Sequence, residues 1–221
     1  MILGLDTATP ATVVGVVGDG GRGGERSHLP APGERPGHAA QLLGLARAEL
    51  AAAGAGFADV RRIAVGVGPG TFTGLRIGIA TARALAQATG AELVAVSTLH
   101  ALAAAAGHDG PVLAVLDARR GEAFAAAWRG DERLLAPVAV RPEALAALAV
   151  PDARSWLAVG DGAIKFRAAL SGAVAVPDDA DPRHAVTGLT VCRLGVAGAP
   201  VDRDALVPDY VRDPDAVPRP R

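Results

Sequence analysis

The residues best suited to chemistry are concentrated in Gly66-Val67-Gly68-Pro69-Gly70-Thr71-Phe72-Thr73-Gly74-Leu75-Arg76-Ile77-Gly78. A glycine-rich turn between a strand and a helix can cradle phosphate, because free N–H groups and the peptide dipoles at the helix start both favour an anion. This segment departs from the known phosphate loops. It lacks the GK[ST] ending, and it does not read G-x-G-x-x-G with an acid about 20 positions on. Pro69 also removes one N–H donor. A tight structural turn is the plainer reading.

Metal and nucleophile chemistry find little support. The histidines are His28, His38, His100, His108 and His184, and no two are spaced H-x-x-H or H-x-x-x-H. Cys192 is the sole cysteine, so one chain holds neither a disulfide nor a cysteine-based zinc site. In an apolar helix a buried, inert thiol is its default state. Ser97 and His100 are three apart, but no third triad member is visible. A metallopeptidase fails on ligand count.

The charge balance is equally plain. There are 22 Lys+Arg against 23 Asp+Glu, and Lys165 is the only lysine. A nucleic-acid binder ordinarily carries a basic excess or run, and neither is present. The start, Met-Ile-Leu-Gly-Leu-Asp, has no basic region followed by a long apolar stretch. No run approaches the ~20 apolar residues that span a bilayer. The expectation is a cytoplasmic protein with no membrane attachment.

Hydrophobic residues make up 50% of the chain and aromatics 3%, so the core must be packed from slim aliphatic elements. Strands are expected at Ile2–Leu5, Thr12–Val17 and Glu25–Leu29, then a Pro/Gly-rich loop over Pro30–Gly37 and a helix over His38–Ala53. Ile63–Val67 reads as a buried strand, Thr73–Thr89 as a helix stopped by Gly90, and Glu92–Val96 as a strand before a short Ala-rich helix. After His108-Asp109-Gly110-Pro111 the pattern restarts. Strands Val112–Leu116 and Glu122–Trp128 flank a turn at Asp117–Gly121. A short helix Pro142–Ala149, a strand Trp156–Val159, a helix Ala163–Leu170 and a helix Ala185–Ala197 follow. Two α/β halves are expected, 1–107 and 108–221, each beginning with a strand that ends in Leu-Asp, with a flexible tail from about 214.

The helix that begins near Thr73 constrains the function most. At about 100° per residue, Arg76, Arg83 and Gln87 share a narrow sector, and apolar residues fill nearly all the rest. Gly74, Gly78, Ala82 and Ala86 form a small-residue row that lets another helix approach closely. In the helix His38–Ala53, Leu42, Leu43, Ala46 and Leu50 share one arc. Either the two helices cover each other, or together they form a face for another subunit. The pattern leaves both open.

Gly68–Gly78, taken with Ile2–Thr9, Asp117–Glu122 and Gly160–Gly162, resembles the TsaB family, also called YeaZ. The likeness runs in order to about Asp209-Tyr210-Val211-Arg212, and Gly-Pro-Gly-Thr-Phe-Thr-Gly-Leu-Arg is its specific part. Ala39 stands where the family often has Ser. The resemblance implies an α/β actin-like ATPase-domain (ASKHA) fold of two RNase H-like subdomains, with mixed sheets flanked by helices. It also implies a non-catalytic dimerisation subunit in the synthesis of tRNA N6-threonylcarbamoyladenosine at position 37. Such a subunit pairs with the related catalytic subunit TsaD through the two helices, or with itself when that partner is absent. A TsaE-type ATPase joins the assembly, and tRNA enters only as the complex's substrate.

The family settles the choice for a partner face, placed at Leu42, Leu43, Ala46, Leu50, Gly74, Leu75, Gly78, Ile79, Ala82 and Ala86. The catalytic relative's H-x-x-x-H metal pair matches Thr98 and Leu102 here, and leucine has no lone pair to donate. ATP, Mg and metal are thus expected to be used by partner subunits and no cofactor by this chain alone. A nucleotide-binding or ATP-hydrolysing enzyme of the actin-like/sugar-kinase fold is the alternative. It would use Asp6 and Thr7, the Asp117 turn with Arg119 and Arg120, and Gly160, Asp161 and Gly162. Exposed turn arginines and a plain Gly-Asp-Gly turn are the commoner explanations of the last two groups.

Overall fold

The computed structural model describes residues 1–31, 33–149 and 155–211. The tail expected from about 214 lies outside them. The first sheet is built from β1 (Ile2–Asp6), β2 (Thr12–Val17), β3 (Gly23–His28), β4 (Arg62–Gly68) and β5 (Glu92–Ser97), in the order β3-β2-β1-β4-β5. β1 is antiparallel to β2 and parallel to β4, so the sheet is mixed. The second sheet contains β6 (Val112–Arg119), β7 (Glu122–Arg129), β8 (Glu132–Val140) and β9 (Leu157–Val159), in the order β8-β7-β6-β9. β6 pairs antiparallel with β7 and parallel with β9, which repeats the first sheet without its last strand. The two Leu-Asp pairs therefore fall in equivalent central strands, with Asp6 ending β1 and Asp117 two residues before the end of β6.

Alternation along β1 shows how the layers are stacked. Leu3 and Leu5 point to the side where α1 (His38–Ala52) and α2 (Phe72–Thr89) lie, in a core with Val14, Val16, Ile63 and Val65. Ile2 points the other way, with Ala64 and Val96, into a core shared by both sheets. That core is filled from α3 (Thr98–Ala105) and α7 (Gly188–Ala197) by Leu99, Leu102, Val191 and Cys192. On the far face of the second sheet, Leu113, Val115 and Ala125 meet Leu145 of α4 (Leu145–Leu148), Ala163 of α5 (Asp161–Lys165) and Leu170 of α6 (Arg167–Leu170). Helices α1 and α2 are consequently an outermost layer. Close backbone packing places α7 on the first sheet, where a side chain at Gly188 would collide with Val14 and Gly15. The C-terminal half thus returns to the N-terminal sheet.

Most elements lie within a residue or two of their expected bounds, and four depart, among them β6, which runs three residues past Leu116 to Arg119. β8 has no counterpart among the expected strands, because Pro137 and the charges of Glu132 and Arg133 obscure its pattern. Proline is admissible on an edge strand, which β8 is. The expected helix Ala163–Leu170 breaks at Phe166 into α5 and α6. The helix expected from Ala185 begins at Gly188, after a 3-10 turn Pro182–His184 and an N-cap bond from Thr190 N–H to Thr187 Oγ1. α2 ends as expected: Gly90 takes a left-handed φ of 74° and donates to Ala86 O.

Candidate functional site

The cleft between the sheets gathers the residues that an actin-like nucleotide site would use, and each is engaged within the chain. Asp6 is fully buried. Its Oδ1 accepts the Ala8 N–H at 2.9 Å and its Oδ2 accepts the Thr98 hydroxyl at 2.9 Å. Burial pushes its pKa up to about 6, against the lowering effect of those two bonds. Thr7 donates its hydroxyl to Gly74 O at 2.7 Å. Across the cleft, Asp117 Oδ2 holds Lys165 Nζ at 2.8 Å, and Asp161 Oδ1 accepts the Asp117 N–H at 3.0 Å. The space left among Ala8, Gly70, Thr71, Asp117 and Asp161 is ≈10 Å³. That is room for about one water, far below a nucleotide.

The glycines around this cleft have steric reasons. Gly160 sits at φ 111°, a conformation that L side chains rarely adopt, with its N–H donating to His184 Nδ1 at 3.0 Å. A side chain at Gly162 would meet the backbone of Leu116 and Asp117 at 2.7 and 3.0 Å. Gly160-Asp161-Gly162 therefore packs one strand end against another. Arg119 and Arg120 take positive φ of 64° and 54°, and the Asp117 carboxylate bonds the Arg119 N–H at 2.9 Å. The bend begins later than expected, since β6 runs to Arg119.

The positions that match the relative's metal ligands are buried. Thr98 is bound to Asp6 and Leu102 lies in the core. His100 turns elsewhere and stacks on Trp128, with ring centroids 4.9 Å apart, and burial lowers its pKa. Among the described residues no group of three or more His, Cys, Asp or Glu could hold a metal ion. Cys192 is buried against Gly4, and burial pushes its thiol up to about 12.

The face expected to receive a partner needs correction. Of Leu42, Leu43, Ala46, Leu50, Gly74, Leu75, Gly78, Ile79, Ala82 and Ala86, Leu43 alone is exposed, at 49%. Leu42, Ala46, Leu50, Ile79, Ala82 and Ala86 form one core with β1, β2 and β4. The small row on α2 faces its own chain. A side chain on Gly74 or Gly78 would strike Thr7, so these glycines admit the β1–β2 turn rather than a foreign helix.

The outward arcs of the same helices are the free ones. On α1 they expose Ala40, Leu43, Gly44, Ala48 and Ala51, with Arg47 the one charge among them. On α2 they expose Ala80, Ala84 and Ala88 beside half-buried Ile77 and Thr81, with exposed Thr73, Arg76 and Gln87 along one edge. The two helices pack on each other, so the apolar ones among these residues make one small-residue surface.

Beside it lies a feature that the sequence did not announce. Asp209 N–H bonds Val67 O at 2.8 Å, and Leu206 is buried in the α1–α2 core. This brings Val207 and Tyr210 alongside α2, where Tyr210 stacks on Phe72 with centroids 6.0 Å apart. In the sequence Asp209-Tyr210-Val211 marks only the end of the family likeness, and no periodicity links it to α2.

Comparison with known proteins agrees with this architecture. The family model of TsaD, tRNA N6-adenosine threonylcarbamoyltransferase, matches residues 34–176. The tRNA threonylcarbamoyladenosine biosynthesis protein TsaB of Escherichia coli is 32% identical over 169 residues, covering 73% of this chain and 71% of that one. An uncharacterised protein of Mycobacterium tuberculosis is 36% identical over 222 residues, covering 98% of this chain and 94% of that one. Among solved structures, YeaZ from Pseudomonas aeruginosa superposes with a TM-score of 0.79 at 32% identity, covering 95% of this chain and 98% of that one. The two-sheet fold is of the actin-like ASKHA type, with the second sheet echoing the first. On sequence and fold together, the chain belongs to the TsaB (YeaZ) family.

Proposed function

We propose that this protein serves in the biosynthesis of N6-threonylcarbamoyladenosine on tRNA as a non-catalytic subunit, seating a TsaD-like threonylcarbamoyltransferase on the outward faces of α1 and α2. The observation that carries the reading is the surface formed by Leu43, Gly44, Ala48, Ile77, Ala80 and Ala84. It lies on the outermost layer of the fold, and among the described residues its flanking charges are Arg47 on α1 and Arg76 and Arg83 at the groove edge of α2. Small residues there let a partner helix approach to backbone contact, and removing apolar area from water favours association.

The filled cleft supports a subunit without chemistry of its own. With Asp6, Thr7, Asp117 and Asp161 all engaged within the chain, ATP, Mg and metal belong to the partners. The same apolar face would pair two copies of this chain when the partner is absent. A TsaE-like ATPase completes the assembly, tRNA is its substrate, and it works in the cytoplasm. No helix among the described residues is long and apolar enough to cross a membrane.

Depletion of the protein in its host, followed by nucleoside analysis of digested tRNA, tests the reading. Threonylcarbamoyladenosine should fall, and Asp6→Asn should restore it as well as the wild type does. The double variant Ala48→Arg/Ala84→Arg should not restore it. Rescue by that double variant, or failure by Asp6→Asn in a folded protein, would overturn the proposal.

A further inference from the structure

Between α2 and residues 206–210 runs a groove of ≈740 Å³, with Ile79 and Leu206 in its floor and Ala80 and Val207 along its rims. Arg76 and Arg83 stand on its helical side. The two arginines differ. Arg83 is paired with Asp204 at 2.7 Å, and Arg203 lies 3.5 Å from the same carboxylate. Among the described residues no carboxylate pairs with Arg76. Its guanidinium carbon lies 3.7 Å from the Phe72 ring centroid, and its Nε donates to the Tyr210 hydroxyl at 3.4 Å.

We propose that this groove receives a short, acidic, amphipathic segment of the catalytic partner. An aliphatic or aromatic side chain would enter the floor, and an Asp or Glu carboxylate would meet Arg76. The proposal rests on the docking reading above and extends it to a second contact. Charge complementarity names the occupant: a guanidinium with no carboxylate partner among the described residues, set over an apolar floor, suits a carboxylate beside a hydrophobic residue. A nucleic-acid strand would want several free cations. The Phe72 and Tyr210 contacts hold the guanidinium in place before binding, so less freedom is lost when a carboxylate arrives. Continuity names the molecule. Ala80 lines the groove and also belongs to the exposed arc of α2, so a partner seated on that face reaches the groove directly.

The test uses the full chain with the threonylcarbamoyltransferase subunit of the same organism. A benzophenone amino acid placed at position 207 should, on irradiation, cross-link a partner peptide with Asp or Glu within four residues of Leu, Ile or Phe. Arg76→Glu should weaken the complex at least tenfold by calorimetry and remove the cross-link, while Arg76→Lys should weaken it less. A complex that forms normally but gives no cross-link to the partner, or one only to added tRNA, would overturn the inference and leave the docking reading standing. So would Arg76→Glu leaving affinity within twofold. Absence of any complex with the wild-type chain would overturn both.

Discussion

Replacing glycine by alanine in two neighbouring helices should change stability in opposite directions. Gly78 on α2 and Gly44 on α1 both lie in helix interiors, where alanine is intrinsically favoured by about 1 kcal/mol. At Gly44 the new methyl has nothing within 4 Å, so the substitution should stabilise by about 0.5–1 kcal/mol. At Gly78 it would be driven into Thr7 Oγ1, whose hydroxyl holds Gly74 O at 2.7 Å. Overpacking costs about 1–3 kcal/mol, and disturbing a buried hydrogen bond costs about 1 kcal/mol more. Against the helical gain, Gly78→Ala should destabilise by about 1–3 kcal/mol, or roughly 2–12 °C in Tm for a chain of this size. Thermal melts and urea titrations followed by circular dichroism would measure both. If Gly78→Ala proves neutral or stabilising, or Gly44→Ala costs stability, the assignment of the inward and outward faces is wrong.

Other expectations follow from the buried groups. Asp6 holds its proton more tightly folded than unfolded, so its contribution to stability is present below about pH 4 and is lost as pH rises through about 6. Asp6→Asn should flatten the dependence of the urea midpoint on pH between 4.5 and 7, and an unchanged slope would refute the burial of that carboxyl. Calorimetry of the isolated protein with millimolar Mg-ATP should show no saturable heat, because the cleft offers ≈10 Å³; saturable binding abolished by Asp6→Ala would revive the nucleotide-enzyme alternative. The Cys192 thiol, buried and pushed up to about 12, should resist a thiol-specific disulfide reagent until the protein is unfolded in urea. Rapid labelling of the native protein would contradict its packing against Gly4.

Local pattern was enough to read the alternation of β and α elements, the end of β1 at Leu5-Asp6 and the terminator at Gly90. Each depends on neighbours in sequence. The orientation of α1 and α2 was not legible in the same way. A period of about 3.6 shows which residues share a face, but not which face meets the chain's own sheet. Gly74 and Gly78 illustrate the difference. The space they leave is filled by Thr7, a residue 67 positions before Gly74, and nothing near either glycine signals it. β8 escaped because its edge position, which makes Pro137 tolerable, is a property of the sheet. The groove beside Arg76 depends on Leu206–Tyr210 returning to α2, a long-range contact without a local signature.

The docking surface is tested most directly by the affinity of Ala48→Arg and Ala84→Arg for the catalytic subunit, measured by calorimetry alongside light scattering on gel filtration. Both positions are exposed, so the free protein's stability should change by less than about 0.5 kcal/mol. The wild-type chain should form a 1:1 complex, and each arginine should weaken it by tenfold or more. A complex of undiminished affinity in both variants would contradict the assignment of the outward faces of α1 and α2 as the docking surface.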